Sequence, residues 1–286
     1  MLPAIDEQAA NNLLKGFSIP AKPSTLVAVQ REQAKADPDL KKIAHVISGD
    51  PGLAAAVIKT INSPFFGLGA KVTSIPQAVV LLGLKNVSAL VTSFSLRNAL
   101  AGKQVSMERF WDSALHIAAI STDLARKLPG IATEDAYALG MFHDCGIAIM
   151  MQKFGDYKEF LRDANQAKQS IVALEEERYD TNHASLGYLV ARSWNLPEHL
   201  CLSILHHHER TLFSDPARAL SDTVLSLVAV LKIATHFSHR NRGLDDADDW
   251  PVLKEHTLRH LGITEDELSE MEADAGEKHA LSINLA

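Results

Sequence analysis

Apolar residues recur at intervals of three and four along nearly the whole chain, and no stretch of useful length alternates apolar with polar residues. That period belongs to helices burying one face, so the expected fold class is all-α, a multi-helix bundle. Asp39–Ser48, preceded by Asp37-Pro38, places Leu40, Ile43, Ala44 and Ile47 on one side. Asp50-Pro51-Gly52 opens a helix with the stripe Leu53, Val57, Ile58 and Ile61. It should end near Asn62-Ser63-Pro64, because proline disfavours helical geometry in the residue before it. Ser74-Ile75-Pro76 starts another that runs to Gly83, and Leu84–Val87 leads into a further helix reaching about Leu100. After a boundary at Gly102–Ser106, helices are expected from Phe110 to Pro129-Gly130, then over Glu134–Met151, Lys158–Gln169, His183–Trp194, Pro197–His208 and Ser221–His236.

With 286 residues, 47% of them hydrophobic, the chain can bury a sizeable core as one composite domain or two. The longest uninterrupted apolar runs, around Val79–Leu84 and Val224–Leu231, fall short of the roughly 18–20 residues needed to cross a bilayer. Asp6, Glu7 and Lys15 leave no continuous apolar core for a secretory signal, and a cytoplasmic protein is expected. Cys145 and Cys201 lie in apolar stretches and form no disulfide framework.

The net charge of −7 is unevenly placed. Residues 241–286 hold 12 acidic and 4 basic side chains (−8), which leaves 23 acidic and 24 basic before them (+1). This balance supplies no electrostatic argument for nucleic acid or an anionic membrane. Leu253, Leu258 and Leu261 at near-helical spacing make 241–286 read as a solvated acidic helical extension.

Three segments set histidine among apolar residues. Phe142-His143-Asp144-Cys145-Gly146 buries an ionisable pair, which is costly unless paired, hydrogen-bonded or bound to metal. Gly140 and Gly146 weaken a helix and suggest close backbone approach by another element. His183 stands at a helix start that Thr181 or Asn182 can cap. On a helix from Pro197, His207 and His208 share the face of Leu200 and Ile204 while His206 points away. Neutral imidazoles on an apolar face can ligate metal, but a satisfied core pair and a plain basic helix end are the competing readings.

Together with Trp194-Asn195-Leu196-Pro197, these segments resemble the HD superfamily of metal-dependent phosphohydrolases. The front half narrows the resemblance. Ile19-Pro20, Asp50-Pro51-Gly52-Leu53, Asn62-Ser63-Pro64-Phe65-Phe66-Gly67, Ser74-Ile75 and Leu82-Gly83-Leu84 are similar to the HDOD family, the HD-related output domain of bacterial signalling proteins. The likeness runs from about Phe17 to Phe237. It implies an HDOD-like domain over 17–240, with an N-terminal helical part (17–102), an HD-like part (107–240) and the tail 241–286.

The resemblance also implies a metal site. His143, Asp144, His183, His207 and His208 fall on ligand-like positions for one divalent ion (Fe, Mn, Ni, Zn or Mg), or for none if the site is a relic. Ser113 stands where a leading histidine is expected, with His116 as a substitute one turn on. Lys232 stands in the region of a closing aspartate, and Ile147 replaces a lysine of the longer phosphohydrolase signature. These departures favour a regulatory domain that acts through a signalling protein partner or a nucleotide-type ligand, with homo-oligomers open. No nucleic-acid or membrane partner is expected. The remaining length leaves no room for a receiver, cyclase or phosphodiesterase domain, so a stand-alone module is expected. The alternative is a phosphohydrolase acting on a nucleotide, cyclic dinucleotide or phosphomonoester, with Asp144 and Lys232 as candidate catalytic groups.

Overall fold

The computed structural model describes residues 16–63, 71–101, 107–164, 167, 169–214, 220–244 and 249–283, and among these there are helices and no strands. The expected boundary at Gly102–Ser106 and the block Pro64–Gly67 lie outside the described residues. The chain divides into two compact units, one of Pro20–Ala101 with Asp274–Ala286, the other of Met1–Ile19 with Gly102–Ala273. Residues 241–273 thus group with the larger unit and 274–286 with the smaller.

The smaller unit is built from α1 (Ser24–Gln33), α2 (Leu40–Ser48), α3 (Pro51–Ile61) and α4 (Ile75–Leu100). Short polar side chains start the last three of these helices: Asp39 accepts from the Lys41 amide, Asp50 from Leu53 and Ser74 from Gln77. Leu26, Ile43, Ile47, Val57, Ile61, Leu90 and Leu96 are buried together as its core. Gly83 breaks α4 with φ 72° and ψ 169°, a conformation only glycine adopts without strain. By length and composition alone α4 would reach across a bilayer, but Gly83 interrupts it and half of its most apolar stretch is buried in the protein.

Asn62 clasps the return of the chain into α4. Its Oδ1 accepts from the Val72 amide at 2.8 Å and its Nδ2 donates to the Val72 carbonyl at 2.7 Å. Asn62→Ala is expected to destabilise the protein by about 1–2 kcal/mol, because both backbone groups lose their partner. An unchanged denaturation midpoint would contradict the clasp.

The larger unit contains α5 (Glu108–Lys127), α6 (Thr133–Phe142), α7 (Cys145–Lys153), α8 (Tyr157–Ala164), α9 (Ile171–Tyr179), α10 (His183–Ser193), α11 (Glu198–His206), α12 (Asp222–Asn241) and α13 (Trp250–Leu261), together with the first turns of α14 (Glu265–Ile283). α5 pairs with α6, α12 lies against both, and α10 packs on α7 and α11. Two glycines permit this packing. A β-carbon on Gly140 would stand 2.4 Å from Ala118 Cα, and one on Gly146 would stand 1.9 Å from the His183 carbonyl oxygen.

Two boundaries and one additional helix near the site differ from expectation. Glu134–Met151 is two helices, broken at His143-Asp144, so the pair occupies a junction. Pro197 caps α11 from outside, and α11 stops at His206, so His207 and His208 follow the last turn. Helix α9 lies in a segment for which sequence periodicity suggested no helix.

Candidate metal centre

The α6–α7 junction projects Asp144 toward the start of α10 and the end of α11. Donor atoms of Asp144, His183, His207 and His208 lie within 4.8 Å of one another. His183 Nε2 is 3.5 Å and His207 Nε2 is 3.3 Å from Asp144 Oδ1, while His143 Nε2 is 3.1 Å from Oδ2. The Asp144 side chain is 29% exposed, but His183 is fully buried and His207 nearly so. His116 is placed elsewhere, its Nδ1 hydrogen-bonded to Ser238 at 2.8 Å. Ser113 accepts a hydrogen bond from Arg242, and Ile147 is buried among apolar residues.

Each imidazole nearest Asp144 is oriented from behind. His143 Nδ1 donates to the Gly140 carbonyl at 2.8 Å, and His207 Nδ1 to the Ile204 carbonyl at 2.6 Å. His183 Nδ1 donates to Glu175 at 2.7 Å. Glu175 is wholly buried and also accepts from Tyr157 Oη and from the His183 amide. A partner that only accepts fixes the proton on Nδ1 and turns Nε2 toward the centre, the arrangement typical of metal-binding histidines.

The electrostatics set a neutral imidazole against an ionised carboxylate at that centre. Burial pushes His207 down to about 4, so its ring is neutral at pH 7 and Nε2 presents a lone pair. Burial opposes ionisation of Asp144, but His143, His207 and His183 hold its carboxyl well below the usual range. A lone pair thus faces a carboxylate oxygen. Asp144 Oδ1, His183 Nε2 and His207 Nε2 are all buried without a hydrogen-bond partner. Buried polar atoms that converge without hydrogen-bond partners fit a bound cation, and three imidazoles with one carboxylate are suited to a divalent transition metal.

His208 and Lys232 share a second carboxylate that sequence reading did not single out. Asp249 Oδ2 accepts from Lys232 Nζ and lies 3.3 Å from His208 Nδ1. Burial, reinforced by His207 and Lys232, drives His208 well below its usual range. Burial opposes ionisation of Asp249 too, yet Lys232 and His208 keep it firmly ionised. Burial and the neighbouring Asp144 push the Cys145 thiol up, which leaves it no role as a thiolate.

His183 behaves differently from His207 and His208. Burial would lower it, but Glu175 and then Asp144 overcome burial and raise it. Below that raised value the ring is cationic without metal, and an ion must displace the Nε2 proton. Calorimetry in buffers of differing ionisation enthalpy should therefore show proton release on binding that fades as pH rises through that raised value, with affinity tightening over the same range. Binding without proton release would contradict the assignment of His183.

The helical fold and the converging His–Asp centre define the class: an HD-type domain. A model of the HDOD domain matches residues 19–210, and the chain belongs to that family. Among solved structures it resembles a candidate phosphohydrolase from Shewanella amazonensis SB2B, with a TM-score of 0.73, 21% identity, and coverage of 99% of this chain and 100% of that one. It also resembles an HDOD domain protein of unknown function from Geobacter sulfurreducens (TM-score 0.68, 21% identity, 94% and 96% coverage). A candidate signal transduction protein from Marinobacter aquaeolei VT8 matches with a TM-score of 0.72 and 18% identity, over 98% of this chain and 65% of that one. At these identities the likeness shows the fold. An uncharacterised Treponema pallidum protein is 28% identical over 209 residues, 72% of this chain. The chain spans 40% of that relative's length and 27% of the Bacillus subtilis protein YuxH, which it also matches.

Proposed function

We propose that this HDOD domain is a regulatory module whose conformation is set by one divalent transition-metal ion, and that it signals through a protein partner or a small ligand. The observation that carries this reading is the set of buried polar atoms without hydrogen-bond partners, Asp144 Oδ1, His183 Nε2 and His207 Nε2, drawn from three separate segments of the larger unit. A cation there would tie the α6–α7 junction, the start of α10 and the end of α11 together. Asp144, His183, His207 and His208 would hold the ion, with His143 bracing the far oxygen of Asp144. Bound metal can polarise a phosphoryl oxygen and acidify a water.

Efficient hydrolysis also needs positive charge on the developing oxyanion. Lys232 is committed to Asp249, and Ile147 offers none. The second reading, a phosphohydrolase, draws on the 29% exposure of the Asp144 side chain, which brings solvent to the edge of the centre while the converging atoms stay buried.

The two readings separate in one experiment. Hydrogen exchange with and without Mn²⁺ is expected to show added protection over α6, α7, α10 and α11. Phosphomonoesters, nucleotides and cyclic dinucleotides are expected to be cleaved no faster than by Mn²⁺ alone. Multiple turnovers that Asp144→Asn abolishes would instead establish the hydrolase.

A further inference from the structure

Lys232 and Asp249 are both buried, with side chains 6% exposed. An ammonium buried beside a metal centre repels the incoming ion strongly, because the surroundings are too apolar to screen it. In this structure that ammonium is not left uncompensated. Its Nζ donates to Asp249 Oδ2, and the same oxygen faces His208 Nδ1. Asp249 stands just before α13, where a carboxylate ordinarily caps the helix, yet its side chain makes no cap bond there. Both of its described contacts go to the centre instead, and its Oδ1 is buried without a hydrogen-bond partner.

We propose that Asp249 is a positioning residue that makes the centre able to hold a divalent ion, by neutralising Lys232 and orienting His208. On this view the Lys232–Asp249 pair takes over the charge balance that a carboxylate at position 232 would have supplied. The inference rests on the reading that the Asp144 cluster binds metal, and it assigns a metal-affinity role to a residue outside the segment matched by the family model.

The test is a double-mutant cycle on Mn²⁺ affinity, read by calorimetry and electron paramagnetic resonance of the full chain. Asp249→Asn leaves the ammonium uncompensated and should weaken Mn²⁺ by about 10–100-fold. Lys232→Met removes the repulsion and should tighten Mn²⁺ by roughly threefold or more. The double variant should return to within about threefold of wild type. A metal-free melt of each variant reports folding separately. If Asp249→Asn does not fold, Lys232→Met decides alone, and weaker Mn²⁺ binding in it overturns the proposal. Wild-type affinity in Asp249→Asn overturns it as well. A double variant as weak as Asp249→Asn does so too, because Asp249 would then act only through His208. Wild-type protein that takes up no Mn²⁺ would overturn both this inference and the metal-gated reading beneath it.

Discussion

Gly146→Ala is expected to cost about 3 kcal/mol or more of folding free energy and to remove the metal centre with it. The added β-carbon would fall 1.9 Å from the His183 carbonyl oxygen and 2.9 Å from the Gly187 amide nitrogen, both backbone atoms of α10. Flexible side chains can yield to such a contact, but backbone cannot. Relief requires α7 and α10 to separate, which parts Asp144 from His183. The control is Gly155→Ala, where an added β-carbon meets nothing within 4 Å and little change is expected. Denaturant titration of both variants checks this, and equal midpoints would contradict the packing described for α7 against α10.

Asp144→Asn has a different signature, because it should lose metal and keep the fold. The asparagine retains the shape of aspartate but supplies an N–H donor to the unsatisfied Nε2 lone pair of neutral His207. The hydrogen bond gained contributes about 0.5–1.5 kcal/mol, so the metal-free variant should be at least as stable as metal-free wild type. Its affinity for divalent metal should fall by more than about a hundredfold. This opposition separates a site held ready for a cation from an ordinary polar core. If Asp144 served only as an internal hydrogen-bond partner, the substitution would destabilise the protein and metal content would be irrelevant.

The helical class was legible because the apolar period is nearly uninterrupted; the HD resemblance singled out His143, Asp144, His183, His207 and His208, and the structure brings the last four within 4.8 Å of one another. Other parts were hidden for identifiable reasons. Glu175 sits in the run Glu175-Glu176-Glu177, which as a pattern is a solvated face; only the tertiary placement of α9 buries the first of the three against Tyr157 and His183. Asp249 ends the acidic stretch Asp245–Asp249, and no periodicity marks one carboxylate there as buried. Apolar residues on both sides of His143-Asp144 made Glu134–Met151 look continuous, although the break between α6 and α7 is what turns Asp144 inward. Lys232 was visible as a departure from an HD ligand set, but its compensation by a residue 17 positions later was not.

The central claim is that Asp144, His183, His207 and His208 form a metal centre. Elemental mass spectrometry on the full chain, purified without chelator or histidine tag, tests it most directly. The expected result is close to one equivalent of a single divalent transition metal in wild type and essentially none in Asp144→Asn. Folded wild-type protein that is metal-free, and stays so after incubation with Mn²⁺, Fe²⁺, Ni²⁺ and Zn²⁺, would contradict the claim and make the histidine cluster a polar element of the helical core.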